Sequence, residues 1–345
     1  MKYKKLLLSM LIILISSGFL VIFNKSDANQ KQISKEDLVI YTPHPIAFLS
    51  PIIEEFESQT GILVTVVSGG SGELIEQIEM EADNPKADIL WGGSLSTLKP
   101  QLYLFEEYYS IHEDMIQDEF KNEDGYLTRF SDVPSILMVN KDLSGDTVIT
   151  GYEDLLNPEL KGKIAFANPS ISSSSYEHLI NMLYAMGNGV PDRGWDYIEK
   201  LCDNLDGNLL RGSSEVYEGV LNGEFVVGLT FEEAAAAMIS NGKHIEIVYM
   251  KEGVISTPDC IALVKAAKNK ENGQAFIDFV TSFEAQTMLT TNLNRRSVRI
   301  DVTVPKYLLE KDEFTIIYSD KDFVYGKKRE WLQQFKDIFY QVDED

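Results

Sequence analysis

Apolar and polar positions along this chain follow two alternating periods. Asp37-Leu38-Val39-Ile40-Tyr41 is a short β-favouring run broken by Thr42-Pro43-His44-Pro45, the pattern of a strand that ends in a loop. Ile46, Leu49, Ile52, Ile53 and Phe56 then recur at helical spacing, and Gly61 stops that helix ahead of a second strand over 62–67. Ser68-Gly69-Gly70-Ser71-Gly72 follows directly, Leu74, Ile75 and Ile78 mark another helix, and Ala87-Asp88-Ile89-Leu90-Trp91 is a third strand closed by Gly92-Gly93-Ser94. Strands that alternate with helices in this way predict a parallel α/β sheet, in which ligands sit where strands end and helices begin.

The pattern then repeats in kind. Pro134 to Asn140 reads as a long strand, and 154–163 as a short helix and turn feeding Ile164-Ala165-Phe166. Ser172 to Ser175 open a helix, Arg211-Gly212-Ser213-Ser214 open another, and the strand 225–229 runs into Thr230-Phe231-Glu232-Glu233. A buried-type strand at 260–264 precedes an amphipathic helix around 275–283. No internal repeat and no low-complexity linker separates the two α/β units, so chain crossings must join them.

The N-terminus adds a compartment. Lys2, Lys4 and Lys5 precede an uncharged run of 18 residues, 6–23, and Asn24-Lys25-Ser26-Asp27-Ala28 turns polar again, the layout of an export signal. Ser26 and Ala28 offer small residues for cleavage after Ala28; a run of this length is also close to what spans a bilayer, so residues 1–28 are a signal peptide or a retained anchor. The protein is expected outside the cytoplasm, at the cell surface or in a periplasm. No cysteine lies in or just after the run, which excludes lipid attachment there.

Charge narrows the partners. The 345 residues carry 31 Lys+Arg against 54 Asp+Glu, a formal net charge of −23. Removing residues 1–28 takes away four lysines and one aspartate and leaves 27 positive against 53 negative side chains. Such an excess repels phosphate backbones and anionic headgroups, which argues against nucleic acid and anionic membranes as partners and for a small or cationic partner. The two cysteines, Cys202 and Cys260, show no metal-ligand spacing, and no cofactor motif occurs. No Gly-x-Ser-x-Gly elbow, His-Glu-x-x-His or Walker loop is present, and His44, His112, His178 and His244 form no readable nucleophile-and-base arrangement, so an enzyme is not expected.

In their order and spacing, several short pieces resemble the extracellular solute-binding proteins of ABC importers, in the group that holds ferric-ion, thiamine, phosphonate and sugar-phosphate binders. They are Val39-Ile40-Tyr41-Thr42, Ser71-Gly72-Glu73-Leu74 with Ala87-Asp88-Ile89, Leu156 to Ile164, Asn222-Gly223-Glu224, Thr257-Pro258-Asp259 and Asn294 to Arg299. The resemblance implies an α/β, two-lobe periplasmic-binding-protein-like fold of type II, with a ligand cleft between lobes that close by a hinge. It implies lobe 1 over 37–130 plus 260–312 and lobe 2 over 131–259 plus 313–345, with crossings near 130–133, 256–260 and 311–314. The implied partners are a small-molecule ligand and an ABC permease in the membrane, with a sensor kinase as the alternative to the permease, and the implied state is a monomer.

Ferric binders of this group use two adjacent tyrosines after the strand that here ends in Leu229. This chain has Phe231-Glu232-Glu233 there and Gly92-Gly93-Ser94 where a carboxylate would fall, which disfavours ferric ion, although Glu232, Glu233 and His44 remain conceivable O/N metal ligands. In their place stand hydroxyl-rich loops at helix starts: Ser68 to Gly72, including Ser71 and Gly72; Ser172, Ser173, Ser174 and Ser175; and Arg211 to Ser214, including Ser213 and Ser214. Free N–H groups at a helix N-terminus, with serine donors, bind phosphate or carboxylate without a full positive charge. The plainer reading of each cluster is a helix cap. Thr42, His44, Ser94 and Thr230 fall on strand-end loops where the resemblance implies ligand contact. Glu232 and Glu233 either favour a first helical turn or accept from ligand hydroxyls or an ammonium. Arg295, Arg296 and Arg299 are expected to pair with surface carboxylates, with contact to the cleft as the alternative, and Tyr41, Trp91 and Tyr176 to pack in the core, with a sugar or ring face as the alternative. The expected ligand is a phosphorylated or phosphonate compound: a sugar phosphate, a phosphoglycerate-like molecule or aminoethylphosphonate; thiamine or a polyamine is the cationic alternative.

Overall fold

The computed structural model describes residues 38–342; residues 1–28, expected to be a signal peptide or anchor, lie outside the described residues. Among the described residues no helix is long and apolar enough to cross a membrane. The first three strands are β1 (Leu38–Thr42), β2 (Val64–Ser68) and β3 (Ile89–Ser94), and two helices alternate with them, α1 (Ile46–Thr60) and α2 (Ser71–Met80). After the two-residue strand β4 (Phe105–Glu106) comes β5 (Thr128–Asn140), then β6 (Ile164–Ala165) and the helices α3 (Ser173–Met186), α4 (Trp195–Leu205) and α5 (Ser213–Leu221). The strand β7 (Val227–Phe231) leads into α6 (Glu232–Ser240), and β8 (Ile245–Val248) and β9 (Ser256–Val264) follow. The chain ends with α7 (Lys270–Thr281), α8 (Phe283–Leu293), β10 (Arg296–Ser297) and α9 (Lys321–Val342).

Sheet order is β2-β1-β3-β9-β5-β7-β6. The pairs β1·β2, β1·β3 and β6·β7 are parallel, as the alternation of strands and helices predicts. The strands between them are not: β9 runs antiparallel to β3 and β5, and β5 runs antiparallel to β7 and β8. The sheet is therefore mixed, and the exceptions are the two strands that carry the chain from one half to the other and back. Along β5 the partner changes within one step: residues up to Pro134 pair with β9, while Ser135 pairs with Phe231 of β7. A proline has no N–H to give to a ladder and is tolerated where pairing switches.

Apolar contacts separate on either side of this switch. Leu38, Ile40, Phe56, Trp91 and Phe276 form one cluster, in which the Phe56 and Trp91 rings each meet Phe276 edge-on at 5.0 Å. Leu137, Tyr152, Phe166, Leu183 and Trp331 belong to another. The segment expected as one helix around 275–283 is two, because Ser282 is extended and its Oγ accepts from the Ala285 N–H at 3.2 Å, which ends α7 and caps α8.

Asp88 ties the first strands together. It is buried, and its carboxylate accepts the N–H of Val39 at 2.9 Å, the N–H of Asn269 at 2.9 Å and Asn269 Nδ2 at 3.0 Å. Asp88→Ala leaves these donors in an apolar setting, and urea denaturation is expected to show a loss of about 3 kcal/mol, with Asp88→Asn losing less.

Candidate functional site

A cavity of about 430 Å³ opens where the parallel strands end. Three helix starts reach it: Ser68 to Ser71 at α2, Ser172 to Ser174 at α3, and Arg211 to Ser214 at α5. Helix N-termini leave N–H groups without intrahelical partners and carry the positive end of the helix dipole. At α2 one such group is taken, since the Gly70 N–H donates to Glu73 Oε2 at 3.0 Å. At α3 Ser172 is the cap, its Oγ accepting from Ser175 N at 3.5 Å and lying 3.1 Å from Ser174 Oγ, while Ser173 Oγ is buried without a hydrogen-bond partner. At α5 the cap is Gly212, so Ser213 and Ser214 are not used as caps, and Arg211 folds onto Glu215 through its Nε at 3.1 Å.

The cavity floor is ionic. His44 Nε2 lies 3.0 Å from Asp259 Oδ2, and Arg295 reaches the same Asp259 oxygen at 3.4 Å and Glu233 Oε1 through its Nε at 2.7 Å. The Arg295 guanidinium also stacks 5.3 Å from the Phe130 ring centre. Burial works to raise the Asp259 carboxyl, but His44, Arg295 and the Gly93 N–H outweigh it and hold it below the ordinary carboxylate range. The loop that carries His44 is folded by Thr42, whose Oγ1 accepts the His44 N–H at 3.1 Å. Gly92 makes room for the ring: with φ of +117°, a Cβ there would stand 2.7 Å from His44 Nε2.

Of the residues singled out in the sequence, His44, Ser71, Ser94, Ser172, Ser173, Ser174, Ser213, Ser214 and Thr230 line the cavity. Thr230 Oγ1, like Ser173 Oγ, is buried and unpartnered. Ser94 spends its hydroxyl locally, accepting from Thr97 N and donating to Thr97 Oγ1. Four residues do not line it. Thr42 lies beneath the surface as the turn-former for His44. Gly72 is a contact between the start of α2 and the segment before α3: its N–H donates to Ile171 O at 3.4 Å, and a Cβ there would meet Ser170 O at 2.5 Å. Glu232 and Glu233 are buried in ion pairs with Arg296 and Arg295, so neither is available to a ligand. Arg296 grips Glu232 through Nε at 2.7 Å and Nη2 at 2.8 Å, and Tyr249 OH donates to the same carboxylate at 2.6 Å. Burial pushes the Glu232 carboxyl up to about 7, against the pull of Arg296 and Tyr249.

Tyr41, Trp91 and Tyr176 are buried away from the cavity lining, as expected of strand-end and helix aromatics. Several lining residues were not predicted as site residues from sequence, among them Glu177, Asp259 and Arg295. Glu177 sits four positions after Ser173 on the same face of α3, beside the apolar stripe of Tyr176, Leu179, Ile180 and Leu183, and that spacing from the serine cluster was the available signal. Among the described residues no group of three or more His, Cys, Asp or Glu side chains is placed to hold a metal ion.

Comparison with known proteins gives this geometry relatives. A family model described as bacterial extracellular solute-binding protein matches residues 38–292. A Salmonella typhimurium protein named putative 2-aminoethylphosphonate-binding periplasmic protein is 26% identical over 269 residues, 72% of this chain and 74% of its own. The periplasmic binding protein AfuA from Actinobacillus pleuropneumoniae, solved with fructose-6-phosphate bound, has the same two-lobe fold, with a TM-score of 0.80 and 24% identity over 89% of this chain and 99% of that one. A solved structure described as a two-component system protein mediating signal transduction gives a TM-score of 0.74 and 28% identity over 86% and 100%. Proteins named for iron, ferric ion and thiamin are among the further matches.

The ion pairs beneath the cavity generate a test. Arg296→Met strands the buried Glu232 carboxylate and is expected to cost about 3–5 kcal/mol in urea denaturation, whereas Arg296→Met with Glu232→Leu recovers most of that loss because no charge is left buried. Equal losses in the single and double variants would show that the pair is not coupled.

Proposed function

Because this chain belongs to the bacterial extracellular solute-binding proteins of ABC importers, we propose that it captures a small phosphorylated or phosphonate-bearing organic anion outside the cytoplasm and delivers it to its permease. The observation that carries the ligand class is the convergence of three helix starts on one cavity, with Ser173 Oγ and Thr230 Oγ1 buried beside it and unpartnered. A bound oxyanion offers acceptors to these hydroxyls and to the unpaired N–H groups, and oriented dipoles then do the work of a fixed cation. The ferric reading lacks this support, since the two glutamates at the tyrosine positions are engaged with arginines.

In the proposed cycle lobe 1 comprises 37–130 plus 260–312 and lobe 2 comprises 131–259 plus 313–345. The Gly72 N–H to Ile171 O contact is where the rims meet when the ligand is enclosed. A second reading, in which ligand occupancy is reported to a membrane kinase, is favoured by the 28% identical structure described as a two-component system protein. Neighbouring genes separate the two: permease and ATPase genes support import, a kinase and a response regulator support sensing.

Thermal-shift screening against phosphate esters, phosphonates, polyamines, thiamine and ferric ion tests the ligand class. A phosphate ester or phosphonate is expected to raise the midpoint, since a ligand that binds only the native state must do so. Ser173→Ala combined with Ser213→Ala is expected to weaken that ligand roughly tenfold or more, as hydroxyl donors to a charged group are lost. Stabilisation by ferric ion or by an unphosphorylated cation alone would overturn the proposal.

A further inference from the structure

We propose that the ligand is a zwitterion, with its anionic group at the serine-lined helix starts and an ammonium nitrogen held by Glu177. The inference rests on the anion-binding reading above and adds a second pole to the same site. Glu177 borders the cavity with a relative exposure of 6%. Its Oε2 accepts from Thr257 Oγ1 at 2.6 Å, while its Oε1 is buried without a hydrogen-bond partner. Leaving a carboxylate oxygen desolvated and unpaired is costly, and a donor brought by the ligand removes that cost.

Placement on α3 sets the spacing. Ser173 and Glu177 are four residues apart and share a helix face, so their levels differ by one turn, about 6 Å along the axis. Ser173 Oγ is unpartnered as well. One face of one helix thus presents a donor at its positive end and an acceptor one turn in, which suits a compact molecule with an oxyanion and an amine separated by a short linker.

The charges around the cavity favour an ammonium over a neutral hydroxyl. Asp259 is paired with Arg295 and His44, and Glu215 with Arg211. Glu73, Glu177 and Glu218 also line the cavity, with no further lysine or arginine among its lining residues. Lys328 lies behind Glu177 but gives its ammonium to Thr97 O at 3.2 Å and to the face of the Tyr176 ring at 5.3 Å. Burial raises the Glu177 carboxyl above the ordinary range, against the Thr257, Ser94 and Ser96 hydroxyls and the charge of Lys328.

Isothermal titration with three matched probes tests this. 2-Aminoethylphosphonate is expected to bind the wild-type protein at least about tenfold tighter than ethylphosphonate and 2-hydroxyethylphosphonate, the effect of one charge-assisted contact. Glu177→Gln is expected to remove most of that preference while leaving ethylphosphonate within about twofold of wild type. Circular-dichroism melting checks that the variant folds, and the wild-type comparison decides the ligand question without it. Equal affinity for all three probes in the wild type overturns the zwitterion, and a Glu177→Gln variant that weakens all three alike overturns the role of Glu177. Binding of none of the three overturns the phosphonate reading and this inference together.

Discussion

Two adjacent arginines gripping two adjacent glutamates hold the site in place. Arg295 pairs with Glu233 and Arg296 with Glu232, joining the segment after α8 to the first turn of α6. Neighbouring residues of an extended segment point to opposite sides, so the two pairs lock direction as well as distance. On one side Arg295 continues to Asp259 and His44 at the cavity floor. On the other, Arg296 donates to Leu309 O and stacks 5.8 Å from the Phe314 ring, next to Tyr249. Charges this deeply buried are a poor source of net stability, since desolvation offsets most of the attraction; their value lies in the single arrangement they permit. The N-terminal dipole of α6 adds to the stabilisation of both carboxylates.

This clamp also bears on the anion site proposed for an acidic chain. With Glu232 and Glu233 neutralised by arginines, the acids nearest the strand ends no longer oppose an incoming oxyanion. The remaining field of a chain with formal charge −23 is unfavourable at long range but is screened over about a Debye length, roughly 8 Å in physiological salt. Helix-start N–H groups act inside that distance. The overall charge therefore bears mainly on association rate and its salt dependence, and the local dipoles on affinity.

The order of elements was legible because hydrophobic period and helix-start residues are local signals. β1, α1, α2 and α3 fall where the spacing of Ile40, Phe56, Ile75 and the Ser172 to Ser175 cluster places them. Strand direction was not, because a strand's sequence carries no mark of which way its partner runs: β5 and β9 read as ordinary buried strands and prove antiparallel. Much of the cavity lining was legible for the same local reason, since serines before a helical run signal a helix start whether they cap or bind. What escaped was pairing at long range. Glu232 and Arg296 are 64 positions apart, and each has a plausible role alone, the acid as a ligand acceptor and the arginine as a surface partner.

The ion pairing of Glu232 and Glu233 shows how the fold divides its acids. An acid at the first turn of a helix gains from the dipole and from any arginine within reach, so it is readily recruited into structure, as Glu232 and Glu233 are. An acid one turn into a helix and without an arginine beside it gains less, and burial raises its carboxyl, as at Glu177. Such a residue destabilises the fold unless something outside the chain completes it. The acids that look chemically prominent in the sequence are thus tied into ion pairs, while the acid beside a helical stripe is the one to which the proposed ammonium contact is assigned.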